Sequence, residues 1–202
     1  MPNLKRSLDI VISIFGIIIS LPLLIIASFL ILVIDGRPIF FIQSRPGLGT
    51  KVFSMVKFRT MDQSAESILK NDKTRITKLG SFLRSSSIDE LPELFNVLLG
   101  DMSIVGPRPL LVEYLELYDD YQIQRHEVKP GITGWAQVNG RNALEWEDKF
   151  KLDVWYVKNQ CTFLDLKIIF KTLVMVLSRK NISYEGEATM KKFEGNSNRD
   201  RI

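Results

Sequence analysis

Histidine and cysteine are almost missing from this chain of 202 residues, which carries one of each, His126 and Cys161. A single cysteine excludes an internal disulfide, and a reducing compartment is the default setting for such a chain. A single histidine excludes Ser-His and Cys-His nucleophile systems and zinc sites built on imidazole. Both residues are read as structural. No Gly-rich nucleotide loop occurs, which argues against a lipid-linked kinase. Internal repeats are absent, and no linker splits the polar part of the chain. Neither charge dominates: 27 Lys and Arg stand against 23 Asp and Glu, a net charge of +4. So mild a basic balance suits anionic lipid surfaces or phosphorylated small molecules and gives no reason to expect nucleic acid. Any catalysis must run on carboxylates, cations, hydroxyls or a hard metal ion.

Long apolar runs, by contrast, are not lacking. Residues 10–34, IVISIFGIIISLPLLIIASFLILVI, lie between Asp9 and Asp35. As a straight helix at ~1.5 Å per residue they would reach about 38 Å, more than the ~30 Å hydrocarbon core of a bilayer. Membrane attachment follows. A single transmembrane span satisfies the length, whereas a cleaved signal peptide does not fit a run this long without a small-x-small site. Pro22, near the middle, removes a backbone hydrogen bond and bends the helix. Basic residues flank both ends, Lys5 and Arg6 before, Arg37 and Arg45 after, so the positive-inside rule gives no orientation. A helix that enters, breaks at Ser20-Leu21-Pro22 and returns to the same face satisfies both flanks, with the Ser20 hydroxyl serving carbonyls freed by the break. Sequence physics leaves both arrangements open.

The remainder reads as one small α+β unit. Two β-rich runs, 39–43 and 51–58, surround the turn Arg45-Pro46-Gly47-Leu48-Gly49 and form a hairpin. Residues 61–83 are polar and helical in part; Lys70, Lys73 and Lys78 are read there as a solvated basic surface facing anionic lipid. A helix over 87–99 ends at Gly100. Residues 102–105 and 132–138 are short strands, and 110–128 is a helix stopped by Lys129-Pro130-Gly131. Residues 163–180 are apolar with interspersed lysines, which fits an interfacial membrane helix and a core helix equally. Trp135, Trp146 and Trp155 are core or interface anchors. From Glu194 onward the tail is expected to be disordered.

The block SIDELPELFNVLLGDMSIVGPRP, residues 87–109, is the most informative in the chain. Asp89 and Glu90 have a plain structural explanation, since acidic residues favour a first helical turn by ~0.3–1 kcal/mol each and Ser87-x-x-Glu90 fits a capping box. Pro92 complicates that box, because with Ser87 as cap it would fall inside the helix. A start at Asp89 puts Pro92 in the first turn, where no hydrogen bond is lost. Two carboxylates at a helix mouth can then reach one pocket. Cations surround the block in sequence: Lys57 and Arg59 close the hairpin, Arg84 precedes the dyad, Arg108 sits in Gly106-Pro107-Arg108-Pro109, and Arg141 follows Asn139-Gly140. Guanidinium groups and backbone N–H groups beside Gly and Pro can grip a phosphate together. A carboxylate beside a phosphate calls for a cation, and Mg²⁺ is the expected one.

These motifs resemble the bacterial sugar transferase family, the monotopic phosphoglycosyl transferases, in a form without an added multi-span domain. The resemblance covers LKRSLDI, RPGLG, KFRTM, SIDELPELFNVLLGDMSIVGPRPLLVEY and KPGITGWAQVNGRNALEWEDKF. The closing EGEATMKKFEG is similar to the enzymes that begin bacterial N-linked glycans with N,N'-diacetylbacillosamine phosphate. What the resemblance implies is a re-entrant membrane helix over 1–36, broken at Ser20 and Pro22. A mixed α/β catalytic domain with interfacial amphipathic helices, 37–202, would follow on the cytoplasmic face of the bacterial inner membrane. It implies Asp89 as nucleophile and Mg²⁺ contact, Glu90 as its assistant, and a UDP-sugar and undecaprenyl phosphate as substrates. Membrane lipids and downstream glycosyltransferases are the other expected partners. Arg84, Arg108, Gly106 and Pro107 match phosphate-binding positions; Lys57, Arg59, Arg141 and Asp153 complete the expected substrate site. Relatives often carry Ser-Pro at the membrane break, where this chain has Leu21-Pro22.

Overall fold

A computed structural model describes residues 2–62, 72–140, 144–178 and 192–195. Helix α1 (Pro2–Leu30) opens the fold and runs into a π turn, Ile31–Asp35. At the expected break, Ser20-Leu21-Pro22, the backbone stays helical. Pro22 lies inside α1, at the cost of the one backbone bond its ring removes, and the Ser20 hydroxyl donates to the Ile17 carbonyl at 3.4 Å.

With apolar residues all around, periodicity cannot choose which side of α1 faces the protein; polar residues at its two ends do. Lys5 donates to the Val105 carbonyl at 3.0 Å and pairs with Asp165 at 2.8 Å. Arg6 donates to the carbonyls of Val97 and Leu98. Buried Asp9 accepts from the Ser103 hydroxyl and the Ile104 N–H, each at 2.9 Å. At the other end the Thr77 hydroxyl reaches the Asp35 carboxylate at 3.0 Å. Between these ties, Ile12 and Ile17 pack on a core of Val97, Met102, Val105 and Ile168, while Leu24, Ala27 and Ile31 bury against Phe58 and Leu83. The opposite side, including Ile18, Ile19, Ile25, Ile26 and Phe29, is bare, and only 17% of the most apolar stretch is buried.

The expected hairpin is present. Strands β1 (Phe40–Pro46) and β2 (Val52–Phe58) pair antiparallel, from Phe40 opposite Phe58 to Pro46 opposite Val52. Two helices, α2 (Asp72–Arg75) and α3 (Lys78–Ser85), lead to a 3-10 turn, Ile88–Glu90, and then to α4 (Glu93–Leu99). Gly80 of α3 lies against the backbone of Thr60 with no room for a Cβ. Lys78 is exposed, as expected, whereas Lys70 and the side chain of Lys73 lie outside the described residues. Beyond α4, Gly100 adopts φ 100°, the left-handed stop that the sequence suggests. Strand β3 (Ser103–Val105) pairs in parallel with β4 (Gly131–Thr133).

Two expectations fail here. Residues 110–128 form two 3-10 segments, Val112–Leu117 and Gln122–Glu127, rather than one helix. The Asp119 carboxylate accepts from the backbone N–H groups of Tyr121 and Gln122, a local turn that competes with helical bonding. The expected strand 132–138 stops at Thr133 and becomes a helical turn, α5 (Trp135–Val138).

Helices α6 (Trp146–Asn159) and α7 (Thr162–Ser178) complete the described chain, apart from residues 192–195. Trp146 joins Tyr114, Phe150 and Phe193 in an aromatic core, while Trp135 and Trp155 stack at 5.1 Å. Helix α7 has both a core side and a bare apolar side. Leu164, Asp165 and Ile168 are buried, while Phe163, Leu166, Phe170, Leu173 and Val174 are exposed. Leu166 and Ile169 line a crevice together with Leu8 and Ile12 of α1, so the bare faces of the two helices adjoin. An apolar surface of that extent marks a lipid or protein contact. The tail beyond Gly195 lies outside the described residues.

Candidate active site

The 3-10 turn Ile88–Glu90 carries the acidic pair, and its geometry differs from a capped helix. Ser87 is left-handed (φ 57°) and its side chain caps nothing. Glu90 does not reach back to Ser87, because its carboxylate is held by two cations. Pro92 stands immediately before Glu93, the first residue of α4. The helix therefore starts four residues later than Asp89, and the dyad sits on a separate turn ahead of it. Asn96 of α4 fixes this turn against the hairpin. Its amide donates to the Ser54 carbonyl at 2.8 Å and accepts from the Val56 N–H at 3.1 Å, which brings Lys57 of β2 to the dyad.

Lys57 pairs with Glu90 at 2.9 Å and with Glu93 at 2.8 Å. Arg108 pairs with Glu90 at 2.6 Å and keeps 44% of its side-chain surface exposed. Burial works against ionised Glu90, yet Arg108 and Lys57 together hold its carboxyl well below the usual carboxylate range. Asp89 is treated in the opposite way. It is buried to 9% exposure, and no hydrogen bond or ion pair is made by its carboxylate among the described residues. Burial and the neighbouring Glu90 charge push it up to about 7, with Lys57, Arg84 and Arg108 pulling against the rise. Two adjacent carboxylates thus have opposite environments, the usual mark of divided roles. Buried Glu93 is pushed up as well, chiefly by burial. The sequence offered no role for it beyond the helix.

The other expected site residues are placed unevenly. Arg84 donates to the Thr60 hydroxyl at 2.8 Å, and its charge reaches Asp89. Arg59 is not brought to the cluster: its guanidinium donates to the carbonyls of Asp35 (2.6 Å) and Gly36 (2.8 Å), closing the end of the apolar segment. The backbone of Gly106 and Pro107 is also occupied. Gly106 N–H donates to the Thr133 carbonyl, and the Pro107 carbonyl accepts from Gly131 N–H. These two residues build the turn by pairing with β4 and do not present free donors to a phosphate. Asp153 faces Arg125 at 2.8 Å, both nearly fully buried. Arg141 lies outside the described residues. His126 is structural as expected: its Nδ1 lies 3.1 Å from the Gly47 carbonyl, and burial pushes the imidazole down to about 4. Cys161 is exposed and free.

The arrangement is one open, partly protonatable carboxylate beside a second carboxylate locked in its charged form, ringed by Lys57, Arg84 and Arg108. It can offer a nucleophilic oxygen to an electrophile that those cations also bind, and a phosphoryl group meets both requirements.

Comparisons with known proteins agree. The family model described as bacterial sugar transferase matches residues 2–179. The chain is 50% identical over 194 residues to an uncharacterized sugar transferase, EpsL, of Bacillus subtilis (strain 168), covering 95% of this chain and 96% of that one. It is 42% identical over 195 residues to the undecaprenyl-phosphate galactose phosphotransferase of Salmonella typhimurium, covering 87% of this chain but 41% of that longer one. Against the UDP-N-acetylgalactosamine-undecaprenyl-phosphate N-acetylgalactosaminephosphotransferase of Aeromonas hydrophila, identity is 37%, covering 87% of this chain and 44% of the relative. From Lys5 at its first helical turn to Asp165 of α7, the elements that build the site lie within the matched region, and the chain belongs to the bacterial sugar transferase family.

Proposed function

We propose that the protein moves a sugar 1-phosphate from a UDP-sugar to undecaprenyl phosphate through a covalent intermediate on Asp89. The observation that carries this reading is the contrast between Asp89, whose carboxylate is unengaged, and Glu90, whose carboxylate is gripped by Lys57 and Arg108. In the first half-reaction an Asp89 oxygen attacks the β-phosphorus of the donor. The bond from that phosphorus to the bridging oxygen breaks, and UMP leaves with the electron pair. In the second, an oxygen of undecaprenyl phosphate attacks the same phosphorus and releases the Asp89 carboxylate, giving the lipid-linked diphosphosugar. Glu90 assists that attack, and Arg108, Lys57 and Arg84 balance charge on the phosphates. The product carries free sugar hydroxyls, so glycosyl transfer is the class of reaction that consumes it.

Among the described residues, no three His, Cys, Asp or Glu side chains are grouped to enclose a metal ion. Mg²⁺ suits such a donor set, because it usually takes one or two carboxylates and completes its shell with substrate phosphates and water. Asp89 would hold it, and when bound it would offset charge on the diphosphate.

The membrane topology belongs to the same proposal. Both ends of α1 are tied to one catalytic body, by Lys5, Arg6 and Asp9 at one end and by Asp35 at the other. This supports a helix that dips into one leaflet and keeps both flanks on the cytoplasmic face of the inner membrane, with the bare side of α7 lying in the interface. For the donor sugar we propose N,N'-diacetylbacillosamine, on the resemblance of EGEATMKKFEG, of which residues 185–191 lie outside the described set. Galactose and N-acetylgalactosamine, in the names of the two phosphotransferase relatives, are the competing donors.

The test is Asp89→Asn, with UMP release measured across a panel of UDP-sugars and intact-protein mass spectrometry on the unaltered enzyme exposed to donor alone. The expected results are near-total loss of UMP release in the variant, and a phosphosugar adduct on the peptide containing Asp89 in the parent. Undiminished release by the variant would overturn the intermediate on Asp89, and no release by the unaltered protein from any UDP-sugar would favour a lipid-binding scaffold.

A further inference from the structure

Arg125 occupies the interior of the domain, 3% exposed, with its planar head against the paired rings of Tyr118 and Phe150, about 6 Å from each centroid. Its guanidinium serves two partners. Nη2 lies 2.8 Å from the Asp153 carboxylate, which Nε also reaches at 3.2 Å. The same Nη2 lies 2.7 Å from the carbonyl oxygen of Arg108. Asp153, on α6, is 1% exposed. A buried ion pair is costly to desolvate and is weak support for stability in itself, so a pair whose spare donor lands on the backbone of an active-site residue asks for another reason.

That reason is visible at the other end of Arg108. Its side chain pairs with Glu90 at 2.6 Å while remaining 44% exposed, so the side chain alone does not fix where the residue stands. Three contacts hold the turn's backbone: Gly106 N–H to the Thr133 carbonyl, Gly131 N–H to the Pro107 carbonyl, and Arg125 to the Arg108 carbonyl. Of these, only the last acts on Arg108 itself, and only it comes from a charged side chain. A guanidinium can serve a carboxylate and a carbonyl in one plane, whereas an ammonium offers a single point charge and no rigid fork.

We propose that Arg125 and Asp153 are positioning residues for the transfer reaction. Asp153 orients Arg125, Arg125 holds the Arg108 carbonyl, and the Arg108 guanidinium is thereby aimed at Glu90 and at the donor phosphates. Asp153 then acts two contacts away from the substrate rather than on it. The inference rests on the transferase reading in one respect only, that Arg108 meets the phosphates.

Arg125→Lys tests it, because the charge and the partnership with Asp153 survive while the fork is lost. In nanodisc-embedded enzyme, initial rates of UMP release should give a kcat/KM lowered on the order of 10–100-fold, the range for displaced supporting contacts and misplaced reacting groups. Melting temperature should stay close to the parent's. The decisive readout is a double-mutant cycle with Arg108→Gln. If Arg125 acts through Arg108, Arg125→Lys costs nothing further in the Arg108→Gln background. Equal losses in both backgrounds, or parent-like rates for Arg125→Lys alone, would overturn the positioning role. Asp153→Asn serves as the second variant, expected to show the same non-additivity with Arg108→Gln; additive losses there count against the proposal. If Asp89→Asn released UMP normally, the Asp89 route would fail whatever the cycle returned, and the cycle would still report on Arg108.

Discussion

Glu90 and Arg108 meet at 2.6 Å although they stand 18 positions apart, and the contact joins the acidic turn to the Gly-Pro-Arg-Pro turn. Lys57 approaches the same carboxylate oxygen from strand β2 at 2.9 Å. Glu90 is consequently an anion whatever the pH near neutrality, and its charge helps to push Asp89 up. A single arginine therefore influences both members of the dyad, Glu90 by contact and Asp89 by its charge.

Replacing Arg108 with Gln should lower UMP release by roughly 10²–10³-fold, the range seen when one preorganised donor is removed from a charge-stabilising site. Glu90, left with Lys57 alone, should also titrate closer to the ordinary carboxylate range, adding an acid limb to the pH–rate profile. Initial rates from pH 5 to 8 measure both effects. A profile of unchanged shape would mean that Arg108 does not control Glu90.

His126 supplies a pH dependence of stability. Its imidazole is pushed from 6.5 down to about 4, first by burial and then by Arg125, with the Gly47 carbonyl opposing. The unfolded chain therefore takes up a proton at a higher pH than the folded protein does. Stability from this group is complete above about pH 6.5 and is lost as the pH falls towards about 4. The melting temperature of the unaltered protein should decline over that window, and His126→Asn should flatten the decline. Parallel curves for the two proteins would contradict this.

Topology can be read by labelling. Single cysteines at Asn3 and Lys51, in a Cys161→Ser background, should react with a membrane-impermeant maleimide from the same side of sealed inverted vesicles. Opposite accessibilities would restore a full transmembrane span.

Local signals carried much of this structure. Two β-rich runs and the Pro-Gly turn gave the hairpin, Gly100 gave the helix stop, and Lys57 and Arg108 converge on the acidic pair. Residues 110–128 misled because their apolar spacing suits a helix, while the Asp119 side chain captures two backbone N–H groups that a helix would need. Arg59 stands two residues from Lys57 in sequence, but it lies just past the end of β2, and its side chain turns to Asp35 and Gly36. Arg125 had no local signal at all. Its partner Asp153 came from the family resemblance alone, as a substrate-site position, and its pairing with Arg125 is visible only in the fold.

The ties at the start of α1 bear on how the protein can be handled. Arg6 closes the last carbonyls of the helix that follows the acidic turn, and Asp9 holds Ser103 and Ile104 of the strand leading to Arg108. The hydrophobic segment is thus a keel to which both halves of the reaction centre are bolted, and not a leash that can be cut. Trimming α1 away would remove the contacts that hold α4 and β3 in place, so the apolar helix and the acidic turn are parts of one frame.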